Sequence, residues 1–189
     1  MSTIVLYLGG MAGDLFVSCL NPNQFESIDV AVTLKKEYGL LKKFWQMSHD
    51  EKVVYINNHN DTAFLSSHDT EFSQQYPKRT IRILCSNIDT LTKLSNRFRA
   101  LHRPEILKHL CKQLNINEDR FDIEYSQMCQ NWNNSFTFPI QFDIGNIFNT
   151  NQFLMDFEEF CTAHSIHTDM KQVELLHTTW KEQNENFNR

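Results

Sequence analysis

The sequence has no C-x-x-C pair and no even set of cysteines; Cys19, Cys85, Cys111, Cys129 and Cys161 stand far apart. That usage argues against a disulfide framework or a zinc site and reads as thiols serving as small core residues in a reducing compartment. No apolar run is long enough to cross a bilayer, and no basic segment precedes the apolar start, so neither a membrane span nor a secretory leader is expected. Basic charge is not in excess. The 18 Lys and Arg against 23 Asp and Glu give a net charge of -5, which lacks the basic face a general nucleic-acid binder needs. Glycine is scarce, and three of the five glycines fall in one turn, Gly9, Gly10 and Gly13, so that turn draws attention first.

What is present is an alternation of short β-branched runs and helical patterns over 189 residues, with 15 Phe to build an aromatic core. Residues 3–8 (T-I-V-L-Y-L) read as a strand buried on both faces, followed by the glycine turn and a helix over 14–20 that Asn21-Pro22-Asn23 ends. A helix is expected over 29–47, and another from Ser48, with Ser48 and Glu51 spaced as a capping box. Strands follow at 62–67, 80–85 and 136–143, the last with Pro139 marking an edge or irregularity. Helices are expected at 88–101, 105–114 (opened by Pro104), 119–132, 151–164 and 169–182, with a loop over 131–135. The expectation is one α/β domain over 1–189, a mostly parallel sheet flanked by helices with a helical C-terminal part, cytoplasmic and without a membrane partner. Ligands of such sheets bind beyond the carboxyl ends of the strands, which marks residues 9–14, 66–69 and 85–89.

Three constellations carry possible chemistry. The turn Gly9, Gly10, Met11, Ala12, Gly13, Asp14 stands between a buried strand and a helix, where backbone N–H groups can cradle an anion. It lacks the lysine of a Walker loop, and Asp14 sits where a cation would be wanted. The other reading is a tight turn packed against a neighbouring helix, with Asp14 as the helix's own cap. The second constellation is S-S-H-D, in which His68 at a strand end is a candidate general base and Asp69 its orienter, against a plain polar loop. The third is basic: Arg79, Arg82, Arg97, Arg99, His102 and Arg103 face either an anion or solvent. His164 and His167 have no carboxylate motif beside them, and no metal is predicted.

The order of these pieces resembles the P-loop sulfotransferase family along most of the chain. I-V-L-Y-L-G-G-M-A-G-D-L-F stands where that family has its strand and sulfate-binding loop, and F-L-S-S-H-D places His68 where the family has its catalytic base. I-R-I-L-C-S-N-I-D-T-L-T-K-L-S is similar in shape to the segment that holds the nucleotide's 3′-phosphate, with Asp89 matching. F-D-I-G-N-I-F-N-T-N-Q-F-L-M-D-F-E-E-F is similar to the family's aromatic strand and following helix. The resemblance implies a P-loop-like fold and sulfuryl transfer from 3′-phosphoadenosine 5′-phosphosulfate to a small acceptor. The loop Gly9 to Gly13 would hold the 5′ anion, His68 would be the base, and Lys93 or Ser95 would contact the 3′-phosphate. A nucleotide kinase is the related variant, though it needs Mg²⁺ and a loop cation. The departures are specific: the loop has no lysine, the phosphate-binding arginine falls on Cys85, and the serine falls on Lys93 with Ser95 two residues late. In-line transfer without those cations lacks its main charge stabilisation. The alternative expectation is therefore a non-catalytic binding or assembly module with protein partners. Its asparagine-rich composition suits a virus or phage, in the host cytoplasm or virion.

Overall fold

The computed structural model describes residues 2–21, 44, 47–58, 64–102 and 104–185. Most of the helix expected over 29–47 lies outside them, as do Thr62, Arg103 and the end of the chain. The described elements run β1 (Thr3–Leu6), α1 (Gly13–Leu20), α2 (His49–Asn58), β2 (Phe64–Ser67), α3 (Thr70–Gln75), β3 (Thr80–Leu84), α4 (Ile88–Leu101), α5 (Pro104–Leu114), α6 (Phe121–Ser135), β4 (Ile140–Asp143), α7 (Thr150–Ala163) and α8 (Met170–Glu185). Short 3₁₀ turns at Pro77–Arg79 and Glu118–Arg120 precede β3 and α6.

The four strands form one parallel sheet in the order β2-β1-β3-β4. The chain steps outward from β1 to β2, then returns past β1 to β3 and on to β4. The reversal lies between β1 and β3, the place where open parallel sheets leave a crevice at their carboxyl ends. In-register pairing puts Val5, Ile81 and Ile140 on one face and Leu6, Arg82 and Gln141 on the other. On the first face Phe16 of α1 and Phe157 and Phe160 of α7 close around Phe142 of β4, with ring centroids 4.7 to 6.1 Å apart. Such aromatic contacts add about 1 kcal/mol each beyond area burial. On the second face lie α6 and α3; the Ser73 carbonyl of α3 and that of Tyr76 just after it accept from the Thr80 hydroxyl. No helix among the described residues is long and apolar enough to cross a membrane.

Local chemistry explains where elements start and stop. Ser48 and Glu51 form the expected capping box: the Glu51 carboxylate accepts from the Ser48 N–H at 2.8 Å. Asn21 ends α1 and exchanges hydrogen bonds with the backbone of Phe64, tying the helix end to the start of β2. Helix α3 is unexpected from periodicity, and Asp69 starts it by accepting from the Phe72 N–H at 2.9 Å. The expected loop over 131–135 is helical, and β4 begins at Ile140, not at Phe136. Trp132 donates its indole N–H to Ile83 O at 3.1 Å, and Asn133 pairs with both backbone groups of Cys85. These tertiary bonds outweigh the low helix propensity of asparagine, and Pro139, without an N–H, delays the strand.

Two buried polar groups stand out. Arg82, fully buried in β3, donates its guanidinium N–H groups to the carbonyls of Trp132 and Phe136 and lies over both rings. It thereby satisfies carbonyls at the end of α6, where the helix dipole favours a cation. His177 of α8 is also fully buried. Its Nε2–H donates to Ile147 O at 2.8 Å and its ring stacks on Phe153, while Nδ1 has no hydrogen-bond partner among the described residues. All five cysteines are free and buried, and burial pushes the thiols of Cys85, Cys129 and Cys161 up to about 12.

Replacing Arg82 with Met should destabilise the chain by about 2–4 kcal/mol in denaturant titration, because two buried carbonyls lose their donor. Burial holds His177 down at about 4 against an ordinary 6.5. The unfolded chain therefore takes up this proton first. Stability falls as pH drops from 6.5 towards 4, by about 3 kcal/mol from this group. A His177→Gln variant, which keeps a donor for Ile147 O, should lose that part of the pH slope in urea melts at pH 7 and pH 4.5.

Candidate functional site

The carboxyl edge of β1 and β2 gathers the glycine turn and His68. Past Leu6 the chain keeps one sheet bond, from the Tyr7 N–H to Ser67 O, and then turns. The Met11 N–H donates to Leu8 O at 3.1 Å, closing a four-residue turn with Gly10 at φ 90°. A turn with that angle at its third residue takes glycine without strain. A side chain at Gly10 would also meet the Tyr125 hydroxyl and lie 2.6 Å from the Phe98 ring. Tyr125 donates to Gly9 O at 2.6 Å, and Phe98 and Tyr125 stack 5.5 Å apart. The turn is thus clamped by α4 and α6.

The other half of the loop is packed from below. Ala12 sits in the left-handed region at φ 51°, and its carbonyl accepts from Leu15 and Phe16 to start α1. The Tyr7 ring lies against Gly13 where a Cβ would stand. Its hydroxyl donates to Asp14 and so accepts from Ser66. Burial, and then the Asp14 carboxylate, raise the phenol well above its ordinary range, so it stays protonated. Met11 is 0% exposed and Ala12 5%, and Gly13 is buried too. Asp14, in the first turn of α1, is exposed. It sits where a carboxylate suits the helix dipole and an incoming anion would be repelled.

His68 is exposed beside this loop. Its Nδ1 lies 2.7 Å from Tyr7 O, and a carbonyl only accepts, so Nδ1 carries the proton and Nε2 the lone pair of the neutral ring. The ring meets Tyr7 edge-on at 4.5 Å. The backbone of Tyr7 thus orients His68. Asp69, the expected orienter, is spent on the cap of α3 and on an ion pair at 2.8 Å with Lys52, itself nearly buried.

The remaining candidates stand elsewhere. Ser95 is buried and donates to Asp122 at 2.9 Å in the seam between α4 and α6. Lys93 lies over the Phe148 ring at 5.4 Å. The described members of the basic group, Arg79, Arg82, Arg97, Arg99 and His102, are engaged within the protein. Arg79 donates to Ser2 O and Ile56 O, Arg97 to Asn184 and Arg99 to Asp122, and His102 pairs with Phe98 O. Among the described residues no group of three His, Cys, Asp or Glu side chains converges as a metal site. Of the residues that decide the loop's state, Ser66 falls in the marked segment 66–69, whereas Tyr7, Phe98 and Tyr125 are not among the expected site residues. Tyr7 leaves its trace by standing two residues before the first glycine and seven before Asp14.

Gly13→Ala should cost about 1–3 kcal/mol of stability, since the buried Tyr7 ring must move. Tyr7→Phe should cost about 1–2 kcal/mol through the lost bonds to Asp14 and Ser66. Thermal and urea melts check both, and wild-type stability for Gly13→Ala would show the loop to be open. No family model, curated protein or solved structure matches this chain.

Proposed function

We propose that the chain is a non-catalytic binding or assembly module whose strand–loop–helix corner serves as structure. The observation that carries this reading is the cover over the loop. Residues Met11 to Gly13 are buried, the Tyr7 ring packs on Gly13, and the exposed group at the helix start is the Asp14 carboxylate. An anion cradle needs open N–H groups and a favourable field. Here the exposed charge has the wrong sign, and among the described residues Arg79, Arg82, Arg97, Arg99 and Lys93 are engaged in other contacts. Lys93 and Ser95, the two proposed contacts to a 3′-phosphate, are held by Phe148 and by Asp122.

A second reading, sulfuryl transfer on a P-loop sulfotransferase-like frame, is favoured by one observation: His68 stands beside the glycine turn, with its neutral-form lone pair on Nε2. In that reading 3′-phosphoadenosine 5′-phosphosulfate binds at Gly9 to Asp14, and His68 takes the acceptor's proton.

Adenosine 3′,5′-bisphosphate separates the two. A ligand at a hundred times its Kd stabilises by about 2.7 kcal/mol, a shift of several degrees in melting temperature. The module reading expects no shift at millimolar ligand, and a His68→Ala variant that melts with the wild type. A rise of several degrees, or sulfuryl transfer abolished by His68→Ala, overturns it in favour of the transferase.

A further inference from the structure

Helix α8 is the last described element of the chain and adds no strand to the sheet. It packs on α1 and α7. Val173, Leu176, His177 and Trp180 form its inner stripe at helical spacing, and none of them is more than 2% exposed. His177 is the one titratable side chain in that stripe. Its Nε2–H holds Ile147 O of the loop before α7, and its ring lies on Phe153 of α7 with centroids 4.3 Å apart. Nearly one turn on, Trp180 packs on Phe148 of the same loop at 5.5 Å. The histidine is thus a point at which α8 is fastened to the rest of the chain.

The fastening accepts only the neutral ring. With Nε2–H donated to a carbonyl, Nδ1 is the lone-pair nitrogen, and it has no hydrogen-bond partner among the described residues. Protonation would put a second N–H and a charge into an aromatic layer that offers no acceptor, which a buried site resists. The charged groups around it do not offset this. On α8, Lys181 stands one turn on and disfavours the imidazolium, while Lys171, Glu174 and Glu182 are exposed. On α7, Asp156 is bound to Asn146 and Gln152, and Glu158 and Glu159 are exposed. The charged residue of α1 is Asp14, exposed at its start, and residues 144–149 carry none. From α4, Lys93 and Arg97 lie over the rings of Phe148 and Trp180 and add positive charge.

We propose that α8 is an acid-released clasp: protonation of His177 frees the helix from α1 and α7 while the sheet stays folded. A peripheral helix can open as its own unit at lower cost than the whole domain. The released helix takes up the proton and the docked one does not, so acid favours release. With the ring at about 4 when docked and at its ordinary 6.5 when released, the released population rises about 50-fold between pH 7 and pH 4.5. Amide hydrogen exchange on the full-length chain at those two pH values, corrected for intrinsic rates, tests this. At pH 7 the amides from Val173 to Trp180 should be less protected than those of β1 and β3. At pH 4.5 they should lose about 50-fold more protection in the wild type than in His177→Gln, with β1 and β3 still better protected than α8. The proposal is overturned if α8 and the two strands share one protection factor, or if His177→Gln loses as much protection as the wild type. Should that variant not fold, the imidazole carbon shifts of the wild type decide. Titration of His177 below pH 5 together with exchange of α8 supports the clasp, and titration near pH 6.5 with the α8 amides still protected overturns it.

Discussion

Much of this structure depends on a buried cation with no carboxylate partner among the described residues. Arg82 sits in the second of the two inner strands, and its charge is met by carbonyl dipoles at the end of α6 and by two aromatic faces. Desolvating a guanidinium costs several kcal/mol unless its donors are engaged. The end of α6 therefore has to lie where those carbonyls reach β3. Trp132 and Asn133 add bonds from the same turn to Ile83 and Cys85. Two turns earlier on the same helix, Tyr125 reaches Gly9. One electrostatic requirement in β3 is thus passed along a rigid helix to the loop after β1.

That chain of contacts gives the glycine residues their meaning. A loop that receives a ligand keeps its amides accessible, and the missing side chains leave room for the ligand's atoms. Here the space above Gly10 belongs to Phe98 and Tyr125, and the space at Gly13 to Tyr7. The glycines admit the protein's own aromatic rings. The same residue pattern serves either purpose, and composition does not tell them apart.

The fold was legible because buried parallel strands leave strong local marks. T-I-V-L and T-I-R-I-L are β-branched runs without alternation, and Ser48 with Glu51, or Asn21 before a proline, announce helix ends. The errors lie where distant partners decide: the helix persists through Asn133 and Asn134 because β3 binds its last turn, and α3 exists because Asp69 caps it. The candidate site was half legible. His68 and the turn are adjacent, as the order of elements implied. Asp69 follows His68 in sequence, yet its partners are Lys52, seventeen residues earlier, and the Phe72 amide. Ser95 and Lys93 were placed by counting along a motif, and counting says nothing about which side of α4 each residue occupies.

The strand order also governs how the sheet meets other chains. Its outer members, β2 and β4, are only four residues long, and a proline directly precedes β4. A short border with a residue that cannot donate offers little template for an added strand. The hydrogen-bonding rows of the inner strands, β1 with four residues and β3 with five, are sealed inside. Growth of the sheet by an added strand is thereby discouraged.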